Sequence, residues 1–151
     1  MRTFATIAVG AALSLVPCVA MADENNERRA QKQAAQPSIL GEWWTERKDG
    51  RIRFVKHVDG TYRGIVSWGA EPRKDTFNKD PKLRDRPVLG MVLMWNLVYR
   101  DGKYEGGYVY NPEDGRTYRV AASLNGFSSL KLRGYLGIPL LGQTQNFTRY
   151  R

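Results

Sequence analysis

A single histidine, His57, and a single cysteine, Cys18, are all that the 151 residues offer of the two most versatile site-forming side chains. That scarcity excludes a His/Cys zinc cluster, an internal disulfide and any site with two histidine ligands. Long apolar runs are missing too. The only apolar core, residues 7–16, is too short to cross a membrane, and Pro17 interrupts its continuation. No segment carries a helical period long enough to cover a sheet, which removes layered α/β architectures. Acid is in short supply, 15 Asp+Glu against 24 Lys+Arg, for a net charge of +9 with the histidine neutral. What is present is the composition of one soluble domain: 42% hydrophobic, 26% charged and 11% aromatic.

Arg2 precedes an uncharged stretch, residues 3–22, that ends in Val19-Ala20-Met21-Ala22. A positive start, a short apolar core and small residues at Ala20 and Ala22 predict a secretory signal peptide over residues 1–22, cleaved after Ala22. Pro17 directly before Cys18 disfavours lipoprotein processing, so cleavage removes the only thiol. The remaining 151 − 22 = 129 residues would carry +8 into the periplasm or beyond, without a transmembrane anchor. Residues 23–38 are polar, lack aromatics and contain Pro37, and they predict a flexible linker with frayed helix around 28–35.

From Ile39 onward, β-branched and aromatic runs alternate with Gly, Asn, Asp and Pro. The pattern predicts a domain over 39–151 with strands at 41–46, 51–58, 61–68, 88–99, 104–110, 116–124, 128–136 and 143–150. Asp59-Gly60 and Asn125-Gly126 mark tight hairpins. Eight strands joined mostly by short turns predict an all-β, antiparallel up-and-down barrel, with a two-sheet sandwich as the alternative. One connection is long: residues 69–87 concentrate six basic and four acidic side chains. Loops of that length in a compact domain are usually functional or disordered.

Two resemblances follow from particular residues. Gly41-Glu42-Trp43 in the first strand with Arg149 in the last resembles the lipocalin closure, in which a tryptophan packs on an arginine of the final strand. A wider set covers essentially all of 41–151: Asp75-x-x-Asn78-x-x-Pro81, Arg84-x-Arg86-Pro87-x-Leu89-Gly90, and Gly106-Gly107-x-Val109-Tyr110-Asn111-Pro112-x-x-Gly115-x-Thr117-Tyr118. Leu130-x-Leu132-Arg133-Gly134-Tyr135 and Leu141-Gly142-x-Thr144-Gln145-x-Phe147-x-Arg149 complete it. In these the chain resembles an exported bacterial family known as domain of unknown function 2147. Asn111 stands where Asp is more usual, and Phe147 where Trp is. The resemblance implies a lipocalin-like barrel and assigns no reaction.

His57 alternates along a strand with no partner nucleophile or acid in the pattern, and reads as an exposed strand histidine. Gly106-Gly107 within a strand predicts a bulge, a bend or a close approach. The candidate ligand-binding residues are Asp75, Asn78, Arg84 and Arg86 in the long loop, with Tyr110, Tyr118, Arg133 and Tyr135 on the strands. Asp75 and Asn78 are equally suited to tying the loop down. No pattern requires a metal or a cofactor. The expected function is therefore binding rather than catalysis, by a carrier or sensor for a lipid or other small apolar or amphipathic ligand. Alternatives are an envelope-interaction protein that meets an anionic component through its basic loop, and an enzyme using a loop Asp with Tyr and Arg. Nucleic acid is not an expected partner of an exported chain lacking any nucleic-acid module.

Overall fold

The computed structural model describes residues 24–29, 31, 36–137 and 142–151. The expected signal peptide with its cleavage point after Ala22, Cys18, and residues 138–141 of the connector before the last strand lie outside the described residues. In the polar segment, residues 24–29 and 31 are helical, so helix starts earlier than the frayed stretch read at 28–35. The domain proper runs from Pro37 to Arg151.

Eight strands build it: β1 (Gly41–Trp44), β2 (Gly50–Lys56), β3 (Tyr62–Gly69), β4 (Val92–Arg100), β5 (Lys103–Asn111), β6 (Arg116–Asn125), β7 (Ser129–Tyr135) and β8 (Gln143–Arg149). Each pairs antiparallel with its neighbour, and β1 pairs with β8 through Trp43↔Arg149, which closes the barrel. Closure leaves no free sheet edge, and this is why so small a β domain has no need of a second layer.

The two ends differ. Turns 57–61, 101–102 and 126–128 and the chain entering at Ser38 gather at one end. There Trp43 is buried, its indole N–H donates to the Ile39 carbonyl at 2.7 Å, and the Ile39 N–H donates to the Tyr104 hydroxyl at 3.1 Å. The Arg149 guanidinium carbon lies 4.1 Å from the Trp43 ring centroid. The guanidinium also donates to three carbonyls, those of Phe127 at 2.5 Å, Leu40 at 2.8 Å and Ser38 at 2.5 Å. Above this seal Phe54, Leu97, Leu130 and Phe147 fill the lower lumen.

Simple alternation is broken at two positions. Met94 and Leu97 on β4 are both buried because Asn96 adopts a left-handed φ of 58° between them. Tyr104 and Gly107 on β5 both face inward across a bulge at Gly106, whose φ is 74°. Gly107 then lies against Leu97; a Cβ there would sit 2.7 Å from the Leu97 side chain. Each bulge turns the rest of its strand over by one residue. The fourth strand starts at Val92, later than the expected 88, because residues 88–91 are occupied in fastening the loop. Val88 N–H donates to the Arg73 carbonyl and Gly90 N–H to that of Val66, each at 2.9 Å.

Candidate functional site: the barrel mouth and its long loop

At the opposite end lie turn 45–49, loop 70–91 and turn 112–115. The loop is folded tightly on itself. Its two limbs run antiparallel, bridged at Lys74↔Pro87, and a short 3-10 turn, Pro81–Leu83, caps its tip with Asp80 accepting from the Lys82 N–H at 3.0 Å. Asp75 is the hub and is wholly buried. Its carboxylate accepts from the Tyr110 hydroxyl at 2.5 Å, from the Asn78 amide at 2.6 Å and from Arg86 Nε at 2.9 Å. Arg84 Nε donates to the Asn78 carbonyl at 2.9 Å. Burial alone would raise the Asp75 carboxyl, but the bonds from Tyr110, Asn78 and Arg86, with the Arg86 charge, hold it below its ordinary value of 3.8. Tyr110 moves the other way, raised by burial and by the Asp75 carboxylate. Asp75, Asn78, Arg84, Arg86 and Tyr110 thus form one knot that locks the loop against the outer face of β5.

A second contact seats the loop on the β5–β6 turn. The Phe77 carbonyl passes so close over Gly115 that a Cβ there would lie 1.9 Å from its oxygen. Only glycine fits, and its φ of 66° favours glycine independently. On the rim, Arg73 reaches Glu113 at 3.3 Å and Asp49 at 3.7 Å, while Arg47 reaches the same two acids. Lys74 pairs with Asp85 at 2.8 Å. Three of the loop's six basic side chains, Arg73, Lys74 and Arg86, are thus ion-paired.

These contacts frame a cavity of about 1020 Å³ that opens at the mouth. Ile52, Val66 and Leu93 contribute from the strands, and Phe77, Val88 and Leu89 from the loop. Arg47, Asp49, Arg73 and Glu113 ring the entrance. Below it the buried side chains plug the lumen, so the barrel is filled in one half and open in the other.

None of the eight residues singled out as ligand-binding lines this cavity. Five meet in the knot. Tyr118 bonds to Asp114 beside the β5–β6 turn, and that bond, followed by burial, raises the tyrosine. Arg133 and Tyr135 stand on the outward face of β7, alternating with the buried Leu130 and Leu132, and Arg133 donates to the Thr144 hydroxyl at 2.9 Å. His57 lies just past β2, its Nδ1 3.0 Å from the Asp59 carboxylate. Of the apolar wall residues, Leu89 belongs to a motif of the family resemblance without being a candidate ligand-binding residue, and Val66, Phe77 and Leu93 belong to no motif. Inward alternation in β3 was the available signal for Val66.

A closed eight-stranded meander with a Trp–Arg seal at its base and an open mouth above defines a lipocalin-like barrel. The solved structure described as "Protein HP1028 from the human pathogen Helicobacter pylori belongs to the lipocalin family" matches with a TM-score of 0.70 and 25% identity, over 77% of this chain and 85% of that one. Residues 41–149 match the family described as "Uncharacterized protein conserved in bacteria (DUF2147)", and the chain belongs to that family. No curated protein matches the sequence.

Proposed function

We propose that the protein is an exported carrier or sensor that holds a small apolar or amphipathic ligand in the mouth cavity. The observation that carries this reading is the division of the lumen: a packed, sealed base beneath an open recess of about 1020 Å³ walled by Ile52, Val66, Leu93, Phe77 and Leu89. Barrels of eight strands have room for one small ligand, and binding sites combine apolar walls with a few polar groups at the opening. The rim supplies both signs of charge through Arg47, Arg73, Asp49 and Glu113, which suits a ligand with an apolar body and a polar head. The loop knot acts indirectly. Asp75 and Arg86 tie the limbs together, and the neighbouring Thr76, Phe77, Pro87, Val88 and Leu89 become one rigid side of the cavity. Asp75, Asn78, Arg84 and Arg86 are therefore positioning residues for the site rather than groups that touch the ligand.

Fluorescence titration with cis-parinaric acid tests the reading. The full chain should bind it in saturable fashion and release it to a saturated fatty acid. Leu93→Trp, which fills the recess, should abolish binding. Leu89→Asp at the exposed entrance should weaken it about tenfold without changing the thermal midpoint. Unaltered binding in both variants would place the ligand elsewhere and end the proposal.

A further inference from the structure

Arg133 and Tyr135 belong to a second recess, on the outer wall of the barrel. It measures about 460 Å³ and is lined in part by Lys103, Lys131, Arg133 and Tyr135, with Glu105 as its acid. The strand register explains its shape. Lys103↔Ser123↔Lys131↔Asn146 form one cross-strand row and Ala121↔Arg133↔Thr144 the row above it. Gly106, Ala121 and Ser123 leave a low floor between the longer side chains. Lys103 and Lys131 stand two strands apart, about 10 Å.

A third row, Trp95↔Tyr108↔Arg119↔Tyr135, crosses β4 to β7 beside the recess. Trp95 stacks on Tyr108 at 5.9 Å with 21° between the planes, and the Arg119 guanidinium lies 4.9 Å from the Tyr108 centroid. Tyr108 thus has a neighbour on each side. A nucleobase needs an open ring face to stack on, and this row does not present Tyr108 that way. What the wall does present is hydroxyl groups and cations: Ser123, Thr144 and Tyr135 with Lys103, Lys131 and Arg119. Among the described residues, Lys103, Arg119 and Lys131 form no ion pair, whereas Arg47, Arg73, Lys74 and Arg86 at the mouth all do. The uncompensated charge on this face complements an anionic partner.

We propose that this wall binds an acidic polysaccharide, its carboxylates paired with Lys103 and Lys131 and its hydroxyls bonded to Ser123, Thr144 and Tyr135. The site is separate from the lumen and does not depend on the luminal reading. Affinity electrophoresis of the full chain through gels containing polygalacturonate tests it. The protein should be retarded by polygalacturonate and pass unhindered through neutral dextran. Lys103→Glu with Lys131→Glu should weaken retardation at least about tenfold, and Tyr135→Phe, which removes only a hydroxyl, about threefold. Circular dichroism should show both variants folded with wild-type thermal midpoints. No retardation, equal retardation of the double variant, or equal binding of polyglutamate or oligothymidylate would overturn the assignment. Equal retardation of the double variant would place the interaction elsewhere on the chain, and equal binding of polyglutamate or oligothymidylate would show a nonselective polyanion surface.

Discussion

Replacing Arg149 with alanine should cost far more than an exposed arginine ordinarily does, and the structure lets the cost be built up. The guanidinium holds the carbonyls of Phe127, Leu40 and Ser38 and covers the Trp43 ring at 4.1 Å. Around Phe127 and Leu40 the contacts are exposed, so water replaces the lost donors and each is worth about 0.5 kcal/mol. The Ser38 contact is half-buried and charge-assisted, worth about 1.5 kcal/mol. Cation–π stacking on a buried indole adds about 1 kcal/mol. Arg149→Ala should therefore destabilise by about 3.5 kcal/mol, or about 14 °C in midpoint for a domain of this size. Arg149→Lys keeps the charge but not the fork, and should recover about a third. Gly41 permits the arrangement: at φ 105° it leaves Arg149 Nη1 only 3.2 Å from where a Cβ would stand. Thermal unfolding followed by near-UV circular dichroism measures the effect. A midpoint within about 2 °C of wild type in Arg149→Ala would refute the reasoning, because it would mean the seal contributes little.

Two further variants test the loop. Asp75 is held below its ordinary value in the folded chain, so its contribution is present above about pH 4 and is lost as pH falls through the lower folded value. Asp75→Asn should destabilise by about 2 kcal/mol at pH 7, and its deficit in midpoint against wild type should shrink as pH falls toward 2. A pH-independent deficit would contradict the ionised knot. Gly115→Ala forces the Phe77 carbonyl away, and limited trypsin digestion should cut at Lys79 and Lys82 about tenfold faster, whereas an unchanged rate would show that the seating is dispensable.

The barrel itself was legible because its signals are local. Asp59-Gly60 and Asn125-Gly126 set hairpins, and Leu130 and Leu132 alternate with Lys131 and Arg133. The last of these already places Arg133 and Tyr135 on the outer face, away from any lumen. Tyr110 was not legible in the same way. Counting by twos from the buried Tyr104 puts Tyr108 and Tyr110 inside, but the bulge at Gly106 turns both outward and brings Tyr110 to Asp75. A Gly-Gly pair announces such a bulge without saying on which side of it the strand resumes. The role of the long loop is set by contacts across 32 to 35 residues of chain, from Asn78 and Asp75 to Tyr110, and no local pattern encodes them. The polar motif residues Asp75, Asn78, Arg84 and Arg86 fasten the loop, while the motif residue Leu89 and the unmarked Phe77 face the cavity.

The central claim is that the upper lumen, and not the outer wall, holds an apolar ligand. A crystal structure of the full chain with a fatty acid brominated at its chain end tests it most directly. Anomalous scattering should place the bromine among Ile52, Val66 and Leu93, with the carboxylate at the rim near Arg47 and Arg73. Bromine found only outside the barrel, or an empty lumen at saturating ligand, would contradict the account.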